Sequence, residues 1–178
     1  MRNYTKLIAG VFCALALTFA SVATAATNEQ ASLFNAGETG LSLSTGYTVD
    51  PAAAFQTDYT FNLTAGVYHY FTRNIGAEVN VPFYTSAGSA VQEVQAGLLA
   101  RLPLSSNVPL FKNFAPYVGL GGVYNWETTQ DWAYIAKAGV EIRLNKKWGV
   151  FAEYQYRNSD FTWEAGEQRA QGGLKFTF

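Results

Sequence analysis

From about residue 38 onward, apolar and polar residues trade places with a period of two. In the run 132–144, Trp132, Tyr134, Ala136, Ala138, Val140, Ile142 and Leu144 share one parity, while Lys137, Gly139, Glu141 and Arg143 share the other. Successive side chains of a β-strand point to opposite faces, so such a run predicts a strand with one apolar and one charged side. Ile75, Ala77, Val79, Val81 and Phe83 oppose Gly76, Glu78, Asn80 and Pro82 in the same way, and Leu174, Phe176 and Phe178 oppose Arg169, Gln171, Gly173, Lys175 and Thr177.

Eight runs of this kind are predicted: 38–47, 57–71, 75–84, 91–102, 115–126, 132–144, 148–157 and 167–178. Turn chemistry separates them. The links "TRN" and "NKK" are tight and polar, whereas "TVDPAAAFQ" and "RNSDFTWEA" are longer. This asymmetry is that of an up-and-down membrane barrel with short turns at one end and longer loops at the other. The short "ETTQ" and the long "PLSSNVPLFKNF" depart from it.

Alternation alone does not say which face is inside. A soluble ligand-binding barrel turns its apolar face inward; a membrane barrel turns it toward lipid. The aromatics decide. Tyr59, Phe71, Phe83, Tyr124, Trp126, Trp132, Tyr134, Trp148, Tyr154, Tyr156 and Phe176 crowd the ends of the runs, leaving Ala, Val, Leu and Gly in the middles. Rings with an apolar body and a polar tip favour membrane interfaces, so aligned strand ends produce two girdles. The polar face carries Glu38, Asp58, Glu78, Glu93, Glu141 and Glu153 with Arg101, Lys137, Arg143, Arg157, Arg169 and Lys175. Opposite charges in near-equal number suit a closed lumen, where an unpaired charge is costly.

Composition narrows the class further. The chain starts with cationic Arg2 and Lys6, an uncharged apolar run from about Leu7 to Ala20, and Ala23-Thr24-Ala25. This layout predicts a cleaved secretory leader over residues 1–25, followed by a short periplasmic segment at 26–37 and the barrel over 38–178. The single cysteine, Cys13, lies in the leader, so no disulfide is expected in the mature chain. Of 12 basic and 13 acidic residues, the leader removes two basic ones; the mild acidic balance gives nucleic acid no purchase.

"APYVGLGGVYNW" at 115–126, "WGVFAEYQYR" at 148–157 and the terminal "GGLKFTF" carry a resemblance. The chain resembles the small eight-stranded outer-membrane barrels of Gram-negative bacteria, the group of the OmpA transmembrane domain, OmpX and the opacity-type surface proteins. The resemblance implies an all-β, closed antiparallel barrel in the outer membrane. It also implies that Leu174, Phe176 and Phe178 form the C-terminal assembly signal read by the outer-membrane insertion machinery. The partners that follow are outer-membrane lipids and lipopolysaccharide, that machinery and periplasmic chaperones, with a monomeric barrel and no cofactor.

Catalytic chemistry finds little footing. The resemblance extends to lipid A deacylases at the level of the fold, and those use a His and a Ser near the outer rim. The one histidine, His69, falls on the apolar face beside "TRN", which reads as an interfacial ring next to Phe71. Asn158-Ser159-Asp160 has no histidine in reach and reads as turn chemistry. "GLGG" lies mid-strand and is no phosphate loop. Glu141 with Arg143 or Lys137, and Glu153 with Arg157, read as a lumen network, because eight strands enclose a space side chains can fill. Trp163 is the large apolar residue of the last loop. The expectation is a non-enzymatic barrel with a role in envelope integrity or surface interaction; the alternative is a narrow channel for ions or small solutes.

Overall fold

Eight strands follow one another in chain order: β1 (Thr39–Val49), β2 (Tyr59–Tyr70), β3 (Ile75–Tyr84), β4 (Glu93–Arg101), β5 (Phe114–Asn125), β6 (Trp132–Arg143), β7 (Trp148–Asn158) and β8 (Glu167–Thr177). The computed structural model describes residues 33–49, 59–84, 93–104, 113–125, 132–158 and 166–178. The expected leader, Asp58, Trp126, Ser159, Asp160 and Trp163 lie outside them, as does the side chain of Tyr59. Each strand pairs antiparallel with the next, and β1 pairs with β8 from Gly40↔Thr177 to Val49↔Gln168, closing the barrel. Closure matters because a strand edge in hydrocarbon would leave backbone groups unpaired. At 9 to 12 residues, the strands have the length a tilted strand needs to cross a bilayer.

The two tight turns are built by the residues that connect them. Thr72 Oγ1 accepts from the amides of Asn74 at 3.2 Å and Ile75 at 2.9 Å, turning β2 into β3. Asn145 Oδ1 does the same for Lys147 at 2.8 Å and Trp148 at 2.9 Å between β6 and β7. Such side-chain bonds replace the backbone partners that a reversal removes. These turns lie at the end of the barrel that holds Thr39 and Phe178, the periplasmic end in this architecture.

The faces are inverted relative to a soluble protein. Leu98 and Leu120, in the middles of β4 and β5, are 62% and 67% exposed, while Glu93, Glu141 and Arg143 are fully buried. The strands start and stop within a few residues of the sequence pattern. Glu38, expected inside the first strand, instead precedes it, yet its carboxylate still enters the lumen. Glycines line the closing seam on the inside: a Cβ on Gly173 would stand 2.2 Å from the Leu43 carbonyl oxygen, and one on Gly40 would stand 2.2 Å from that of Phe176. Neither position admits a larger residue without moving backbone.

Candidate functional site: the lumen

Inward-facing side chains fill the barrel in three tiers, each joining strands across the lumen as well as neighbouring ones. At the periplasmic end, Glu38 pairs with Arg101 of β4 at 2.8 Å and with Arg143 of β6 at 3.0 Å. Glu141 takes Arg143 at 2.5 Å and Lys175 at 2.7 Å. Aromatic faces complete this tier: Arg101 lies 3.5 Å from the Tyr70 ring centre, and Lys175 lies about 5 Å from the rings of Tyr68, Tyr117 and Phe151. Tyr68 Oη and Thr177 Oγ1 are 2.7 Å apart.

Lys137 makes the middle tier. Its ammonium bridges Glu78 of β3 and, at 3.4 Å, Glu153 of β7. Tyr117 Oη donates to Glu153 Oε2 at 2.8 Å, and Gln171 Nε2 donates to Glu153 Oε1 at 2.8 Å. A cavity of about 10 Å³ lies between Ser42, Ser44, Glu78, Lys137, Glu153 and Lys175, room for about one water. Gly119 keeps space for the lysine stem: a Cβ there would sit 2.9 Å from Lys137 Cε.

The tier nearest the loops joins Glu93 to Arg157 at 2.5 Å and to Arg169 at 3.6 Å, with Glu167 3.1 Å from Arg169. Gln95 donates to Glu93 at 2.9 Å and accepts from Gln155 at 3.1 Å. Thr48 Oγ1 accepts from Arg169 Nε at 3.1 Å and from Asn62 at 3.0 Å. The structure therefore brings Glu38, Glu78, Glu93, Arg101, Lys137, Glu141, Arg143, Glu153, Arg157, Arg169 and Lys175 into one lumen. Burying a charge without a partner is prohibitive, and each of these has one. No group of three or more His, Cys, Asp or Glu side chains among the described residues could hold a metal ion.

The family follows from a match over nearly the whole chain: residues 12–178 fit the model of the outer membrane protein beta-barrel domain. The chain belongs to that family. It is an outer-membrane β-barrel protein. Three solved structures show the same fold. Ail, the attachment invasion locus protein of Yersinia pestis, is 14% identical over 80% of this chain and 99% of its own, with a TM-score of 0.56. Neisserial surface protein A is 11% identical over 79% and 97%, with a TM-score of 0.59. The N-terminal barrel domain of Pseudomonas aeruginosa OprF is 14% identical over 80% and 99%, with a TM-score of 0.55. No curated protein matches the chain in sequence.

The exterior of this outer-membrane barrel is its lipid face. Toward the loops, Tyr124 and Trp132 stack at 4.8 Å, and Tyr47 meets Phe61 at 5.9 Å; Phe83 is exposed. At the turn end, His69 packs on Phe71 at 5.1 Å with Thr39 Oγ1 at 2.7 Å from its Nδ1; Trp148, Phe176 and Phe178 form a chain of rings. Tyr134 and Tyr154 are half-buried, the latter donating to Gln168 Oε1 at 2.6 Å. Tyr156 differs from the girdle expected of it: the ring is buried, because Gly166 lies against it so closely that a Cβ would come within 2.2 Å of Cζ. Asn158 donates to its hydroxyl at 3.1 Å.

Sequence reasoning passed over the lumenal rings and Phe34. Tyr68 and Tyr70 share parity with Asn62, Thr64 and Gly66, and Tyr117 shares it with Gly119 and Gly121, so strict counting along β2 and β5 places them inside. Phe34 precedes the first strand and carries no periodic signal.

Proposed function

We propose that this barrel is a closed, non-catalytic scaffold that stabilises the outer membrane and presents its loops at the cell surface, without conducting solutes. The observation that carries this reading is the middle tier, where Lys137 on β6 reaches across the lumen to Glu78 on β3 and also meets Glu153 on the adjacent β7, beside space for a single water. A barrel of eight strands has just enough interior for side chains, and here they occupy it. Ail carries the name attachment invasion locus protein, which supports a surface role. The apolar exterior fits outer-membrane lipids and lipopolysaccharide as partners of a monomer. The alternating last strand fits handling by periplasmic chaperones and the insertion machinery.

Reconstitution in planar bilayers tests the reading. The expected record is a flat baseline in protein that shows heat-modifiable gel mobility; discrete current steps that vanish in Glu141→Gln or Arg143→Gln would establish the narrow channel instead. Lipid A mass spectra should be identical with and without expression, and a new acylation or deacylation product would make it an enzyme.

A further inference from the structure

Just before β1, Gly37 adopts a φ of +77°, a left-handed conformation that reverses the chain. The reversal returns Phe34 to the periplasmic mouth of the lumen. Although Phe34 lies outside every strand, it is 1% exposed, with its ring 5.0 Å from Arg101 Cζ and 5.4 Å from Arg143 Cζ. Hydrogen bonds hold the segment there, beside the Glu38 pairs with Arg101 and Arg143. Gly37 N donates to the Tyr70 carbonyl at 2.7 Å, Asn35 N to Glu38 Oε1 at 2.6 Å, and Arg101 Nη2 to the Asn35 carbonyl at 3.0 Å. Asn35, Ala36 and Gly37 themselves are exposed, so apolar burial at this segment is concentrated in one ring.

We propose that residues 33–38 form a hinged stopper, in which Phe34 closes the periplasmic end of the lumen by capping Arg101 and Arg143 and withdraws as the chain pivots at Gly37. The chemistry beneath the ring favours two states. Tyr70 Oη and Arg101 Nη1 are buried with no hydrogen-bond partner among the described residues. Buried polar groups left unpaired cost free energy that water would relieve. Closing therefore gains apolar burial, the cation–π contacts and the hydrogen bonds at Asn35 and Gly37, while opening hydrates those two groups and the arginines. Opposing terms of this kind suit a segment that opens locally without unfolding the strands. The stopper acts whether or not the tiers above it conduct.

Thiol accessibility at Thr177, which is buried and bonded to Arg143 and Tyr68, reads the state of the stopper. A Thr177→Cys reporter is made in a Cys13→Ser background of the full chain, folded in detergent micelles, and treated with a small anionic methanethiosulfonate. With Phe34 present, labelling is slow; adding Phe34→Ala accelerates it by about tenfold or more while heat-modifiable mobility is retained. Gly37→Val provides an independent opening, because its Cβ meets nothing within 4 Å but its backbone angle is strained. Labelling in Phe34→Ala or Gly37→Val as slow as in the parent, in folded barrels, would overturn the proposal. So would a parent that labels as fast as either variant.

Discussion

Lys175 Nζ on β8 donates to Glu141 Oε2 on β6 at 2.7 Å, reaching past the whole of β7, and both side chains are buried. Breaking such a pair leaves a buried charge without compensation. Glu141→Leu should lower the unfolding free energy by about 3–5 kcal/mol, measured by urea titration of tryptophan fluorescence in liposomes. Glu141→Leu with Lys175→Met should lose clearly less than Glu141→Leu alone, since the orphaned ammonium is gone while Arg143 keeps Glu38.

Leu120 faces outward at mid-strand, opposite Leu98 and Ala136. Leu120→Arg should cost about 2–4 kcal/mol in the same titration, the penalty for a cation near the bilayer midplane. Leu120→Ala should be much milder. Equal, small effects would mean that this face meets water.

At the seam, Gly173 and Gly172 are adjacent but face opposite ways. A Cβ on Gly173 runs into the Leu43 carbonyl, whereas one on Gly172 has its nearest neighbour, the Phe151 carbonyl, at 3.4 Å. Gly173→Ala should sharply reduce the folded, heat-modifiable fraction, and Gly172→Ala should leave it near the parent value, as seen by semi-native electrophoresis.

Phe178 is 71% exposed, and its amide bonds to the Thr39 carbonyl at 3.0 Å. Its ring adds little to the fold beyond contact with Phe176, so Phe178→Ala should barely change urea stability. Under the proposed handling of the last strand by the insertion machinery, Phe178→Ala should nevertheless lower the amount of barrel recovered from outer-membrane fractions several-fold. Normal recovery would remove Phe178 from that handling.

The strands and their two faces were legible because the period of two survives every tertiary influence in a closed sheet: Glu141 and Arg143 cannot change sides without moving Val140 and Ile142 with them. The partners across the lumen were not. Which carboxylate meets Lys137 depends on the stagger of eight registers, and no local pattern reports that β6 faces β3. Tyr156 keeps the outward parity expected of it, and the burial of its ring was not legible for a similar reason, since the residue that covers it, Gly166, belongs to the next strand's approach. Phe34 sits where periodicity ends, and only the backbone reversal at Gly37 reveals its position.

The tiers have a mechanical consequence. Hydrogen bonds between neighbouring strands fix the circumference of a cylinder but resist flattening only weakly. Glu38 to Arg101 and Arg143, Glu78 to Lys137, and Glu93 to Arg157 and Arg169 run across the bore as spokes at three heights. A wheel braced in this way keeps a round cross-section under lateral squeezing from the surrounding bilayer, so the strand ends at its rim hold their spacing while the lipids around them move.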